Sequence, residues 1–192
     1  MIKFMRHNRL APPYHDYSEL NLQQLSQLSL QKVDPPIADL SHEDLLSMET
    51  DFIINADYFV CSESVRTQET MRQILHFLRL QKNIIIDSRV NEILFDARSL
   101  VSCSENILGQ VRDNLFDFVL GSRAGVESFD SVSERVSSFL KEYDGKKVFV
   151  LSHGFLMSLL PLICSQKEGP VKDYDFKRTA YLEVFDIGNQ FK

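Results

Sequence analysis

Five side chains of this sequence are of kinds that attack, clamp or exchange protons: Arg6, His7, Arg66, Glu92 and His153. An imidazole has an ordinary pKa near 6.5, so it is largely neutral at pH 7 and offers a nucleophilic nitrogen or a base. An arginine presents a planar fork of donors suited to an anion, and a buried carboxylic acid can deliver a proton. Taken singly each has an ordinary explanation, since most histidines, arginines and glutamates on a protein only satisfy water or one another. Their placement argues otherwise, because each stands just beyond a run of residues that reads as a buried strand.

Those runs are residues 2–5 before Arg6-His7, 57–61 before Ser62-Glu63-Ser64 and Arg66, 83–87 before Glu92, and 147–151 before Ser152-His153-Gly154. A last strand is expected at 180–185. The three isoleucines of 84–86 have the composition of a strand covered on both faces. Between the strands, Met71, Ile74, Leu75 and Leu78 recur at helical spacing and predict a helix over 67–80. Ser131-Val-Ser-Glu134 reads as a capping box opening a helix that Gly145 ends. Strands alternating with helices predict an α/β fold, a three-layer α/β/α sandwich around a mostly parallel central sheet. Ligands of such sheets bind beyond the carboxyl ends of the strands, where all five side chains stand.

The chain has the length of one domain, 1–192, with insertions around 10–40 and 95–124 expected to cover the active-site end of the sheet. Pro12-Pro13 and Pro35-Pro36 break the first of these into short pieces. Net charge is −6 with the basic residues scattered, which excludes nonspecific nucleic-acid binding and requires a local pocket of cations for any anionic substrate. Cys61, Cys103 and Cys164 are an odd number without C-x-x-C spacing, so neither a disulfide framework nor a structural zinc site is indicated. His7, His15, His42, His76 and His153 match no familiar metal-ligand spacing, and no metal or other cofactor is expected. The apolar start is too short for a signal peptide and no stretch is long enough for a membrane span, which gives the expectation of a cytoplasmic protein.

Five motifs in order resemble those of the histidine phosphatase superfamily, the phosphoglycerate mutase-like fold, in its short phosphatase branch. Arg6-His7-Asn8 resembles the Arg-His-Gly signature, and Cys61-Ser-Glu-Ser-Val-Arg66-Thr-Gln-Glu-Thr70 resembles the Ser-Ser-x-x-x-Arg-x-x-x-Thr segment. Val90-Asn91-Glu92 resembles the segment bearing the proton donor, Gly125-Val-Glu-Ser128 the Gly-Glu-Ser loop with one added residue, and Leu151-Ser-His153-Gly154 the second-histidine motif. The resemblance implies a metal-independent phosphatase that hydrolyses a phosphomonoester through a phosphohistidine on His7. Arg6, Arg66 and His153 would hold the phosphoryl oxygens, and Glu92 would protonate the leaving alcohol, with Glu127 as the substitute donor. Asn8, Arg9 and Gly154 join the substrate-binding set.

Asn8 stands where the signature has glycine, and Arg9-Leu10-Ala11-Pro12-Pro13 replaces the usual continuation. Asparagine is among the few residues that enter the left-handed backbone region at modest cost, so the exchange is tolerable there. These departures motivate a second reading, a catalytically weak member that binds a phosphorylated ligand or phosphoprotein. A phosphoglycerate-type mutase fits less well, because the compact chain lacks the longer mutase insertions. The expected substrate is a small phosphorylated metabolite or a phosphorylated protein side chain.

Overall fold

Five short strands form one sheet in the computed structural model, which describes residues 1–12, 14, 17–103, 105–121, 124–165 and 179–189. They are β1 (Ile2–Arg6), β2 (Tyr58–Cys61), β3 (Ile84–Ile86), β4 (Val148–Ser152) and β5 (Val184–Asp186). Their order across the sheet is β3-β2-β4-β1-β5. The first four strands run parallel, and β5 pairs with β1 antiparallel. Helices are α1 (Leu22–Ser29), α2 (His42–Leu46), α3 (Thr50–Ile54), α4 (Val65–Phe77), α5 (Ile107–Leu120), α6 (Phe129–Glu142) and α7 (Gly154–Ser165). Pro13 and His15, singled out in the sequence, lie outside the described residues.

Alternation along the strands sorts the core into two layers. Phe4, Val60, Val148 and Val150 face a cluster with Leu25 and Leu28 of α1, Val111 and Leu115 of α5, Val136 and Phe139 of α6, and Leu156 and Leu160 of α7. Met5, Phe59, Phe149 and Leu151 face the other way, onto Leu45 of α2, Ile53 of α3 and Met71, Ile74 and Leu75 of α4. Helices thus cover both faces, giving the expected three layers.

Several boundaries differ from the sequence reading for local reasons. Helix α6 begins a turn earlier than expected, because Ser128 rather than Ser131 is the N-cap and its side chain accepts from the Ser131 N–H. Gly145, at φ +73°, follows the helix as expected, in the left-handed region that favours glycine. The isoleucines of β3 are not covered on both faces: β3 is an edge strand, and Ile86 is 45% exposed. The expected strand at 180–185 is displaced to β5 at Val184–Asp186, because a turn closed by the Glu183 N–H on the Ala180 carbonyl takes its first residues. The insertion after residue 95 contains α5, a full helix of 14 residues.

Phe4 is fully buried and meets Phe139 edge-on at 5.9 Å between ring centroids. Phe4→Ala is expected to lower unfolding free energy by about 3–5 kcal/mol. Ile86→Ala, at the exposed edge, should change it by no more than about 0.5 kcal/mol. Urea unfolding of the two variants checks the contrast.

Candidate active site

Parallel pairing of β1 with β4 sets the site. Arg6 lies level with Ser152, and the His7 N–H donates to the Ser152 carbonyl at 3.0 Å. His7 and His153, the next residue on each strand, therefore stand side by side, with ring centroids 5.2 Å apart and planes at 67°. The chain leaves β1 toward β2 on one side and leaves β4 toward β5 on the other, so the two histidines mark the crevice where the strand order reverses.

Each imidazole has one nitrogen engaged. His7 Nδ1–H donates to the Asn8 carbonyl at 2.6 Å, which leaves Nε2 as the nitrogen with a lone pair. His153 Nε2 lies 2.8 Å from Ser62 Oγ, and Ser62 Oγ lies 2.8 Å from Thr67 Oγ1. With the Thr67 hydroxyl donating to the Ser64 carbonyl at 2.9 Å, the chain of bonds is satisfied when His153 donates to Ser62 and Ser62 to Thr67. Both histidines are buried. Desolvation, then the charges of Arg66 and Arg6, push the His7 pKa well below the ordinary value. Desolvation, then His7, Arg66 and Arg6, do the same to His153. Both imidazoles are neutral at pH 7.

Arg66 comes from the first turn of α4, its side chain only 4% exposed. Its Nη1 donates to Asp34 at 2.6 Å, and Asp34 also accepts from Ser64 Oγ at 3.1 Å and from the Val65 N–H. Asp34 thus fixes the arginine and the start of its helix together. Thr70, one turn on, donates to the Arg66 carbonyl at 2.8 Å and accepts the Asn8 N–H at 3.1 Å. The four-residue spacing of Arg66 and Thr70 puts both on the face of α4 that meets the end of β1.

Arg6 donates through Nη1 to the Thr179 carbonyl. Against its guanidinium lies Gly154, where an added Cβ would fall 3.1 Å from both Cζ and Nε. Gly154 therefore supplies room for Arg6. The Nε atoms of Arg6 and Arg66 are buried and have no hydrogen-bond partner among the described residues. Two unpartnered guanidinium donors beside two imidazoles form a site suited to a tetrahedral oxyanion.

Glu92 is half-buried as a residue, with its carboxyl end enclosed by protein. Oε1 accepts from Leu156 N–H at 2.8 Å and Ile93 N–H at 3.1 Å, and Oε2 accepts from Phe155 N–H at 3.1 Å. Burial raises its pKa, while those backbone donors at the start of α7, and Arg6, pull it back. The turn carrying it is held by Ser152 Oγ donating to the Val90 carbonyl and by Arg135 donating to the carbonyls of Arg89 and Asn91. Arg89 and Arg98 are paired elsewhere, with Asp87 and Asp96.

Not every predicted position joins the cluster. Glu127 is held by Arg135 through two bonds of 2.9 and 3.1 Å and also accepts from Ser131 Oγ, so it braces the Glu92 turn. Arg9, expected beside the substrate, is 64% exposed with its guanidinium 3.8 Å from Asp44. Asn8 is buried, but its side chain donates to the Ala38 carbonyl at 3.0 Å, and its backbone is not among those with positive φ. It needs no left-handed conformation and fastens the first insertion to the end of β1. Sequence reasoning missed Asp34, Tyr17 and Tyr181. Burial raises the phenol pKa of Tyr17, and its ring centroid lies 5.8 Å from Arg6 Cζ. Cys61 and Cys164 are buried and Cys103 is exposed, all as free thiols.

The fold is that of solved phosphatases. An α-ribazole phosphatase from Shigella flexneri is similar at TM-score 0.50 and 19% identity, over 87% of this chain and 80% of that one. A mycobacterial glucosyl-3-phosphoglycerate phosphatase has TM-score 0.56 and 17% identity over 87% and 82%. YhfR of Bacillus stearothermophilus has TM-score 0.56 and 18% identity over 87% and 80%. At these identities the likeness establishes architecture. No curated protein matches by sequence. The profile of the histidine phosphatase superfamily (branch 1) matches residues 22–182, and the chain belongs to that family. Arg6 and His7 precede the matched span; strand register, rather than the profile, brings them to His153.

Two consequences are measurable. An unfolded imidazole binds a proton below about pH 6.5, whereas the folded His7 and His153 do so only at lower pH. Stability is therefore full above pH 6.5 and falls as pH drops below it. Glu92, raised from 4.5, contributes the opposite slope upward from that value, one group against two. Calorimetry from pH 8 to 5.5 should show the melting temperature falling at the acid end, less steeply in His153→Gln; a flat profile contradicts the neutral pair. Separately, Gly154→Ala should keep or raise the melting temperature, since alanine favours helix. The same variant should weaken inorganic phosphate binding by about tenfold or more, because Arg6 must move.

Proposed function

We propose that this protein is a metal-independent phosphatase that hydrolyses a phosphomonoester through a phosphohistidine on Nε2 of His7. The observation that carries the reading is the His7 imidazole itself: buried, neutral, with Nδ1–H fixed on the Asn8 carbonyl and Nε2 left for attack. A phosphate dianion repels anionic nucleophiles, so an uncharged nitrogen flanked by cations suits it.

In this scheme the Nε–H groups of Arg6 and Arg66 receive the phosphoryl oxygens, and His153 adds Nδ1–H once the incoming dianion offsets the arginine charges and the ring takes up a proton. Nε2 of His7 bonds to phosphorus as the ester P–O bond breaks, and the electron pair leaves with the alcohol oxygen. Glu92, made easier to protonate by its burial, gives that oxygen its proton. Water then attacks the phosphohistidine, Glu92 takes a proton from it, and phosphate departs with His7 restored. Glu127, already paired with Arg135, serves the scaffold. The accommodation of Asn8 without backbone strain supports a working site over a degenerate one. The whole of 1–192 acts as one domain in a soluble cytoplasmic enzyme. The substrate class is a small phosphorylated metabolite, a choice supported by neighbours named for α-ribazole and glucosyl-3-phosphoglycerate phosphatase activity.

With an aryl phosphate and excess chelator, phosphate release should persist, and His7→Ala should lower it by roughly 10⁴-fold or more. Arg66→Ala should lower it by about 10²–10³-fold. An alkaline denaturing quench during turnover should trap label on His7. Turnover that stops with chelator defeats the mechanism, and tight phosphate binding without trapped label or turnover favours a binding module.

A further inference from the structure

Arg6 and Arg66 are held by opposite means. Arg66 has Asp34 as its counter-ion, whereas Arg6 enters none of the ion pairs among the described residues. Its surroundings come from one turn. Around Arg6, the Thr179 carbonyl accepts from Nη1, the Leu182 N–H donates to the Arg6 carbonyl at 3.1 Å, and the Glu183 carbonyl accepts the Arg6 N–H at 3.2 Å. Tyr181, between them, lays its ring 4.0 Å from the guanidinium carbon and 6.0 Å from the His7 ring. Leu182 holds φ +59°, a conformation leucine seldom adopts, and it turns the chain at this point. Tyr17, from the first insertion, brings a second ring to 5.8 Å from the same carbon. Gly154 closes the remaining side.

We propose that Tyr181, seconded by Tyr17, is the positioning residue of the phosphate clamp, holding Arg6 by its ring face in place of a carboxylate. An aromatic face attracts a guanidinium without neutralising it. A carboxylate there would hold Arg6 equally well, but its charge would oppose an incoming phosphate. The turn thus orients the cation and leaves its full charge for the ligand. The inference rests on Arg6 being a phosphate ligand.

Inorganic phosphate is the probe, titrated calorimetrically into the full chain, so the result does not depend on turnover. Tyr181→Leu should weaken binding about 2- to 30-fold at unchanged melting temperature, and Tyr17→Leu should weaken it less. Tyr181→Phe should restore it. Phenylalanines of increasing fluorination at 181, alike in shape but with a weaker ring quadrupole, should lose affinity stepwise. Equal affinity across that series, or no rescue by phenylalanine, overturns the proposal. Arg6→Ala is the control for the underlying reading: if it leaves phosphate binding unchanged, Arg6 is no ligand, whatever the tyrosines do. If Tyr181→Leu fails to fold, the fluorinated series and Tyr17→Leu still decide the matter.

Discussion

Everything at the crevice depends on the register between β1 and β4. In parallel pairing, a shift of one residue turns every side chain to the opposite face of the sheet. With Arg6 level with Ser152, the first residues past the two strands are both histidines, and both rings point into one space. The register is secured by the core: Phe4 must face Phe139 and Val150, and Met5 must face Leu151 and the α4 side. A slip would bury Lys3 and Arg6 in apolar layers, a cost far above any single contact. Packing of the central strands and geometry of the paired imidazoles are one constraint.

Burying two imidazoles between two arginines is unfavourable to any proton on either ring, and the fold uses this. Desolvation and the arginine charges act in the same direction, so neutrality of His7 does not depend on one neighbour. Hydrogen bonds then select the tautomers. The Asn8 carbonyl fixes Nδ1–H on His7, and the Ser62–Thr67 chain takes Nε2 of His153. The backbone of residue 8 carries this function, which is why an asparagine serves there. Its side chain is free to tie down the insertion at Ala38.

The strand tips were legible in the sequence because a parallel sheet converts position along the chain into position in space. Apolar runs ending at Arg6-His7, Ser62, Glu92 and His153 had to end together once the sheet was inferred. Asp34, Tyr17 and Tyr181 were not legible. Asp34 pairs with a residue 32 positions away across a segment without periodicity, and nothing local marks a carboxylate as a counter-ion. Tyr181 read as a strand residue because 180–185 has strand composition; the left-handed turn at Leu182 is a tertiary outcome. The exposure of β3 escaped for a related reason. Three isoleucines fit a central or an edge strand equally, and the order of strands decides which.

On the proposed function, the start of α7 accounts for the use of two arginines at the clamp. Helix N-termini commonly bind phosphate through their free N–H groups. Here the first N–H groups of α7 are taken by Glu92, whose carboxylate accepts from Phe155 and Leu156. The helix field lowers the carboxyl pKa while burial raises it further, and the balance leaves Glu92 above its ordinary value. Such a carboxyl is held firmly in place by its donors yet is easier to protonate than a surface glutamate. Spending the helix terminus on the acid removes it as an anion site. Under the proposed function, charge for the oxyanion then comes from side chains, and β1 and α4 each place one guanidinium on a rigid element beside His7.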